Sequence, residues 1–147
     1  MRLHPVAPML VPRLAREDCK VGEYDIKKGT QVLVNTWTIQ TDPSVWENPN
    51  EFNPDRFIGK NIDVKGQDFE LLPFGSGRRM CPGYALGLKV IQSSLANLLH
   101  GFNWSLADEM KPEDLNMEET FGLSMPRKFP LITIVEPRLP FDLYNSI

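Results

Sequence analysis

The clearest pattern in the chain follows Cys81, in residues 82–102. Ala85, Leu88, Ile91, Leu95, Leu98 and Leu99 recur at helical spacing, and Gly101 follows as a stop signal. This predicts a long amphipathic helix. The apolar runs at Phe102–Leu106 and Leu131–Val135 predict strands on its C-terminal side. Tyr24–Ile26 and Thr30–Val34, on either side of Lys27-Lys28-Gly29, predict a hairpin. Prolines at 5, 8 and 12 make residues 6–13 an extended edge segment, because proline cannot donate to a strand ladder. Asp42-Pro43 predicts a short helix that Pro49 ends, with Trp46 as its anchor. From Pro49 to Pro73 no period of 2 or 3.6 is sustained, and so long a coil inside a domain usually carries function. Met1-Arg2-Leu3 reads as the last residues of a helix, since the following His4-Pro5 restricts the backbone to extended geometry.

Thirteen prolines among 147 residues is about 9%, against a typical share of about 5%, which predicts much irregular chain. The length suits one domain, residues 1–147. Sixteen basic and 19 acidic residues are interspersed, for a net charge of −3, so nothing marks a nucleic-acid partner. No run of apolar residues is long enough to span a membrane, and the chain carries no anchor of its own. Cys19 and Cys81, 62 positions apart, form neither a disulfide scaffold nor a C-x-x-C pair.

The chemistry concentrates at residues 74–83, Phe-Gly-Ser-Gly-Arg-Arg-Met-Cys-Pro-Gly, a glycine-rich coil ending in a cysteine just before the long helix. A helix N-terminus leaves backbone N–H groups unpaired and carries partial positive charge, which favours an anion such as a thiolate. Pro82 suits the first helical position. Arg78 and Arg79 add cationic potential, and glycines at 75, 77 and 83 let backbone approach a flat ligand closely. On its own such a cysteine also reads as a small buried hydrophobe. A phosphate loop fits less well, because neither a dinucleotide fingerprint nor Gly-Lys-Ser/Thr is present.

The full pattern at Phe74, Gly77, Arg79, Cys81 and Gly83 resembles the F-x-x-G-x-R-x-C-x-G signature of cytochromes P450. WENPNEFNPDRF, with Trp46, Pro49, Phe52, Pro54, Arg56 and Phe57, looks like the family's segment before the haem loop, and Met1–Pro5 like the end of its E-x-x-R-L-H-P stretch. Asn35, Trp37 and Asp42 give the likeness a plant flavour. The resemblance implies an α+β fold, the C-terminal haem-binding part of a P450 domain, incomplete at 1–147. It also implies haem (iron protoporphyrin IX) held by Cys81 as axial thiolate, with Phe74, Gly77 and Gly83 beside it and Arg79 and Arg13 on the propionates. Val6, Ala7, Pro8, Met9 and Phe121, Gly122, Leu123, Ser124 would stand where family members touch substrate. The implied reaction inserts one oxygen atom of dioxygen into a small apolar organic substrate. Its electrons would come from an NADPH-cytochrome reductase, with the full-length parent on the cytosolic face of the endoplasmic reticulum membrane. The alternative is a truncated haem-binding fragment without turnover of its own. Arg2 and Arg56 would belong to a buried ion-pair network whose glutamate lies upstream of Met1. Two cations without their acid should not stay buried, so a frayed N-terminus is expected.

Overall fold

The computed structural model describes residues 1–144. They form two compact units, one of Met1–Cys81 with Thr120–Pro126, the other of Pro82–Glu119 with the chain from Arg127 onward.

In the first unit β1 (Arg13–Leu14), β2 (Cys19–Val21), β3 (Tyr24–Ile26) and β4 (Gln31–Val32) make two small antiparallel ribbons, β1 with β4 and β2 with β3. The hairpin expected between Tyr24–Ile26 and Thr30–Val34 does not form. Tyr24–Ile26 pairs backwards, Val21 opposite Tyr24 and Cys19 opposite Ile26. Asp18 explains the change: its carboxylate accepts from Lys28 N–H at 2.8 Å and Lys27 Nζ at 2.9 Å. Gly29 N–H meanwhile donates to the Ala15 carbonyl at 2.8 Å. The lysine turn is thereby folded onto residues 15–18 instead of closing a hairpin.

The short helix also moves. α1 covers Thr36–Gln40, capped by the Asn35 side chain, which accepts from Thr38 N–H at 3.0 Å. Asp42 does not start a helix; its carboxylate takes Ser44 N–H at 2.8 Å and Ser44 Oγ at 2.6 Å, a local turn that competes with helix. One turn is completed, Trp46 N–H to the Asp42 carbonyl at 2.9 Å, and Asn48 then takes φ +43 and ends it.

The core of this unit is small and half polar: Trp46, Leu71 and Leu72 are buried, and so are Thr36, Gln40 and Arg2. Gln40 holds it together. Its Nε2 donates to the Arg2 carbonyl at 3.1 Å, its Oε1 accepts from Leu72 N–H at 2.9 Å, and its own carbonyl accepts from Arg2 Nη1 at 2.7 Å. Irregular chain cannot satisfy its own buried backbone groups, so a side-chain amide does it.

In the second unit α2 spans Tyr84–Gly101 and runs directly into β5 (Phe102–Leu106), which pairs antiparallel with β6 (Thr133–Pro137), Phe102 opposite Pro137 and Leu106 opposite Thr133. The helix and β5 lie where the hydrophobic pattern places them; β6 begins two residues later than expected. Pro82 falls outside the helix, two residues before its first turn, with Gly83 as the flanking residue. Tyr144 closes the unit: its hydroxyl accepts from Arg138 N–H at 3.1 Å and Leu139 N–H at 3.0 Å and donates to the Gly101 carbonyl. Among the described residues no helix is long and apolar enough to cross a membrane.

Candidate functional site

The segment 74–81 is a loop tied at its ends, Cys81 N–H donating to the Phe74 carbonyl at 2.9 Å. Inside it Gly77–Arg79 makes a tight 3-10 turn that Met80 N–H closes onto the Gly77 carbonyl at 3.0 Å. Gly75 and Gly77 take φ of +74° and +67°, which a side chain would strain. Phe74 is half-buried, while Cys81 is exposed and outside any disulfide. Beside Gly77 there is open space.

Arg13, placed by β1, reaches this loop: its Nη2 donates to the Arg79 carbonyl at 3.0 Å. Pro12, Arg13, Leu14, Arg16, Arg78 and Arg79 surround an open recess of about 680 Å³. Four guanidinium groups around one recess make a strongly anion-attracting surface. Among the described residues no group of three or more His, Cys, Asp or Glu side chains is placed to hold a metal ion.

The two stretches singled out as substrate-facing lie in the same unit and are linked, Met125 N–H donating to the Val6 carbonyl at 3.0 Å. Val6, Met9, Phe121 and Leu123 expose apolar side chains, and Gly122 and Ser124 are exposed between them. The carbonyls of Ala7 and Pro8 are engaged by the Thr36 hydroxyl, at 3.4 and 3.0 Å, which orients this segment against α1.

Arg2 overturns the expected frayed end. It is only 6% exposed, its guanidinium donating to the carbonyls of Gln40 and Pro49, each at 2.7 Å, and lying 5.1 Å from the Trp46 ring centre. Backbone carbonyls and an aromatic face surround the buried cation. Arg56 uses the same device, donating to the carbonyls of Glu47 at 2.7 Å and Asn48 at 3.1 Å. Burial, and then the charge of Arg56, push the Arg2 guanidinium below its ordinary pKa. Arg2, His4, Glu51, Phe52, Arg56 and Phe57 line a recess of about 190 Å³, and Arg56 Nε is buried there without an acceptor.

A family model described as Cytochrome P450 matches residues 1–133. The chain belongs to the cytochrome P450 family. It is 53% identical to a trimethyltridecatetraene synthase of Zea mays, an alignment covering 100% of this chain and 27% of that protein. It is 49% identical to cytochrome P450 98A2 of Glycine max, covering 100% and 29%, and 48% identical to a flavonoid 3',5'-hydroxylase of Eustoma exaltatum subsp. russellianum, covering 98% and 28%. A solved zebra fish cytochrome P450 with abiraterone superposes with a TM-score of 0.79 at 33% identity, over 93% of this chain and 30% of that one. The chain thus spans under a third of the length of these relatives.

The α+β character expected from the sequence agrees with these P450 neighbours. Membership of a haem-dependent monooxygenase family implies haem, and the donor set here fits it: an exposed, unbridged thiol at the end of a glycine loop, with guanidinium groups of Arg13 and Arg79 around an adjoining recess. Gly83 lies beyond the first unit, at the start of α2. Sequence reasoning passed over Gln40, Thr36 and Gly66, since isolated polar residues and glycines in coil carry no period that marks them as buried.

Proposed function

We propose that this P450 chain supplies the haem-holding side of a monooxygenase. Cys81 would hold the haem iron through its thiolate, Arg79 and Arg13 would hold the propionates by charge-assisted hydrogen bonds, and Phe74 would keep water from the sulfur. Gly77 and Gly83 let backbone lie close to the porphyrin face. The haem, when bound, would supply redox and oxygen-activating chemistry. Around it the protein orients and excludes water. Val6–Met9 and Phe121–Ser124 face a small apolar organic substrate, a reading supported by their exposed apolar side chains and the Met125–Val6 link. Dioxygen is the co-substrate, and electrons come from an NADPH-cytochrome reductase at the cytosolic face of the endoplasmic reticulum membrane. Residues 1–147 form part of one P450 domain, and a carboxylate from an upstream segment completes the Arg2–Arg56 site.

The observation that carries this reading is the exposed Cys81 sulfhydryl on a loop tied to Phe74, next to the arginine-lined recess. The test is the reduced, carbon monoxide-bound spectrum of the haem-loaded chain and of Cys81→Ala. A thiolate-type Soret band should be present in the first and lost in the second; its survival removes Cys81 from the role. Turnover with reductase and NADPH then separates an active oxygenase from a haem-binding fragment.

A further inference from the structure

Gly66 sits in the long coil before the cysteine loop, buried, with φ +77°. Its carbonyl accepts a hydrogen bond from the Ser76 hydroxyl. A β-carbon at this position would lie 2.8 Å from the Gly75 oxygen, 3.0 Å from Ser76 Cα and 3.3 Å from Met80 Sδ. Two of those atoms are backbone and cannot swing aside. The contact therefore reaches both arms of loop 74–81, near its start at Gly75-Ser76 and near its end at Met80.

The segment carrying Gly66 is braced from behind. Asp63 N–H donates to the Asp68 carboxylate at 2.8 Å, Lys65 N–H donates to the Asp63 carboxylate at 2.7 Å, and Leu71 N–H donates to the Asp68 carbonyl at 3.0 Å. These bonds turn 63–68 into a closed loop fixed to the buried Leu71-Leu72 pair. The cysteine loop itself has little intrinsic stiffness, with two glycines at positive φ and a few backbone bonds of its own.

We infer that Gly66 and Ser76 are positioning residues for Cys81: the braced 63–68 loop presses on the 75–76 backbone and so sets the direction of the thiol. The inference rests on the reading of Cys81 as the iron ligand, although the mechanical link is a property of the apo chain as well. Gly66→Ala drives a methyl into backbone, whereas Ser76→Ala removes only one hydroxyl and Ser76→Thr restores it.

Hydrogen exchange of the Cys81 amide, which is held by the Phe74 carbonyl, reads the link in the full chain without haem. The Thr36 amide, bonded to the Pro8 carbonyl at 2.8 Å in the same unit, reports general opening. Gly66→Ala and Ser76→Ala should speed Cys81 exchange by about tenfold or more while Thr36 changes less than about twofold, and Ser76→Thr should keep the wild-type rate. In the haem-loaded chain, Gly66→Ala should split the reduced carbon monoxide spectrum between thiolate and non-thiolate bands. If Gly66→Ala opens both amides, Ser76→Ala decides. Unchanged Cys81 exchange in Ser76→Ala, or equal acceleration of both amides there, overturns the inference. A thiolate band persisting in Cys81→Ala instead overturns the assignment of the ligand and leaves the exchange result standing.

Discussion

Gln40 shows what a single residue does in a core too small for hydrophobic burial to dominate. Replacing it with alanine strands Leu72 N–H and the Arg2 carbonyl in a site that is fully buried. Each unsatisfied buried group costs about 1–3 kcal/mol, so Gln40→Ala should lower unfolding stability by roughly 2–6 kcal/mol in a denaturant titration, and Gln40→Glu should not restore it, because a carboxylate lacks the donor for the Arg2 carbonyl. A loss below about 0.5 kcal/mol would show that water replaces the amide. The cofactor side has a residue-scale counterpart in the arginines. Arg79 and Arg13 both line the recess, and on the proposed reading their guanidinium groups hold the propionates, so Arg79→Ala and Arg13→Ala should each weaken haem retention, measured by transfer to a competing apoprotein, with Arg79 the larger. Equal retention in both variants and the parent would move the propionates elsewhere.

Among the elements, the strands and turns of the first unit show why sequence legibility was uneven. The α2 helix was readable because six apolar positions share one period, and β5 because an apolar run follows a glycine stop. The pairing of Tyr24–Ile26 was not, since it depends on Asp18 reaching Lys27 and Lys28 from nine and ten residues away. α1 was hidden by its composition, two threonines, an isoleucine and a tryptophan in five residues, which argues for strand. Of the candidate site, Cys81, Arg79 and the glycines stand out as a motif, Arg13 only through family resemblance, and the proposed positioning residue Gly66 not at all. The same carboxylate contacts set an acid dependence. Asp18 is held below the ordinary aspartate pKa by the Lys27 ammonium and then the Lys28 N–H, and Asp63 by the Lys65 N–H and then its ammonium. A folded-state pKa below the unfolded one gives stability that is present above the ordinary range near about 3.9 and is lost as pH falls through the folded value. Carboxyl NMR titration should therefore find both groups titrating low, and Asp18→Asn should flatten the stability slope on the acid side; an ordinary midpoint for Asp18 would refute the turn's electrostatic hold.

At the scale of the whole molecule, two features fit the proposed reading of the chain as part of one P450 domain. On α2, Ile91, Leu95, Leu98 and Leu99 are each more than two-fifths exposed, although an amphipathic helix derives most of its stability from packing that face. In the first unit Arg2 and Arg56 line a recess, and among the described residues their guanidinium groups donate to backbone carbonyls while Arg56 Nε has no acceptor. The relatives are more than three times as long as the aligned region, so material for both surfaces exists in the family. On the proposed reading, fusing an upstream helical segment that places a glutamate three residues before Arg2 should slow hydrogen exchange at residues 1–3 and 51–57 and protect them from proteolysis. The guanidinium pair already satisfies most of its donors on backbone carbonyls, so the gain comes from the remaining donors and from setting one negative charge against two positive ones, and it should vanish when that glutamate is replaced by glutamine. Protection that survives the glutamine variant would assign the effect to burial of apolar surface alone, and no protection in either fusion would show that the backbone carbonyls around Arg2 are a finished site.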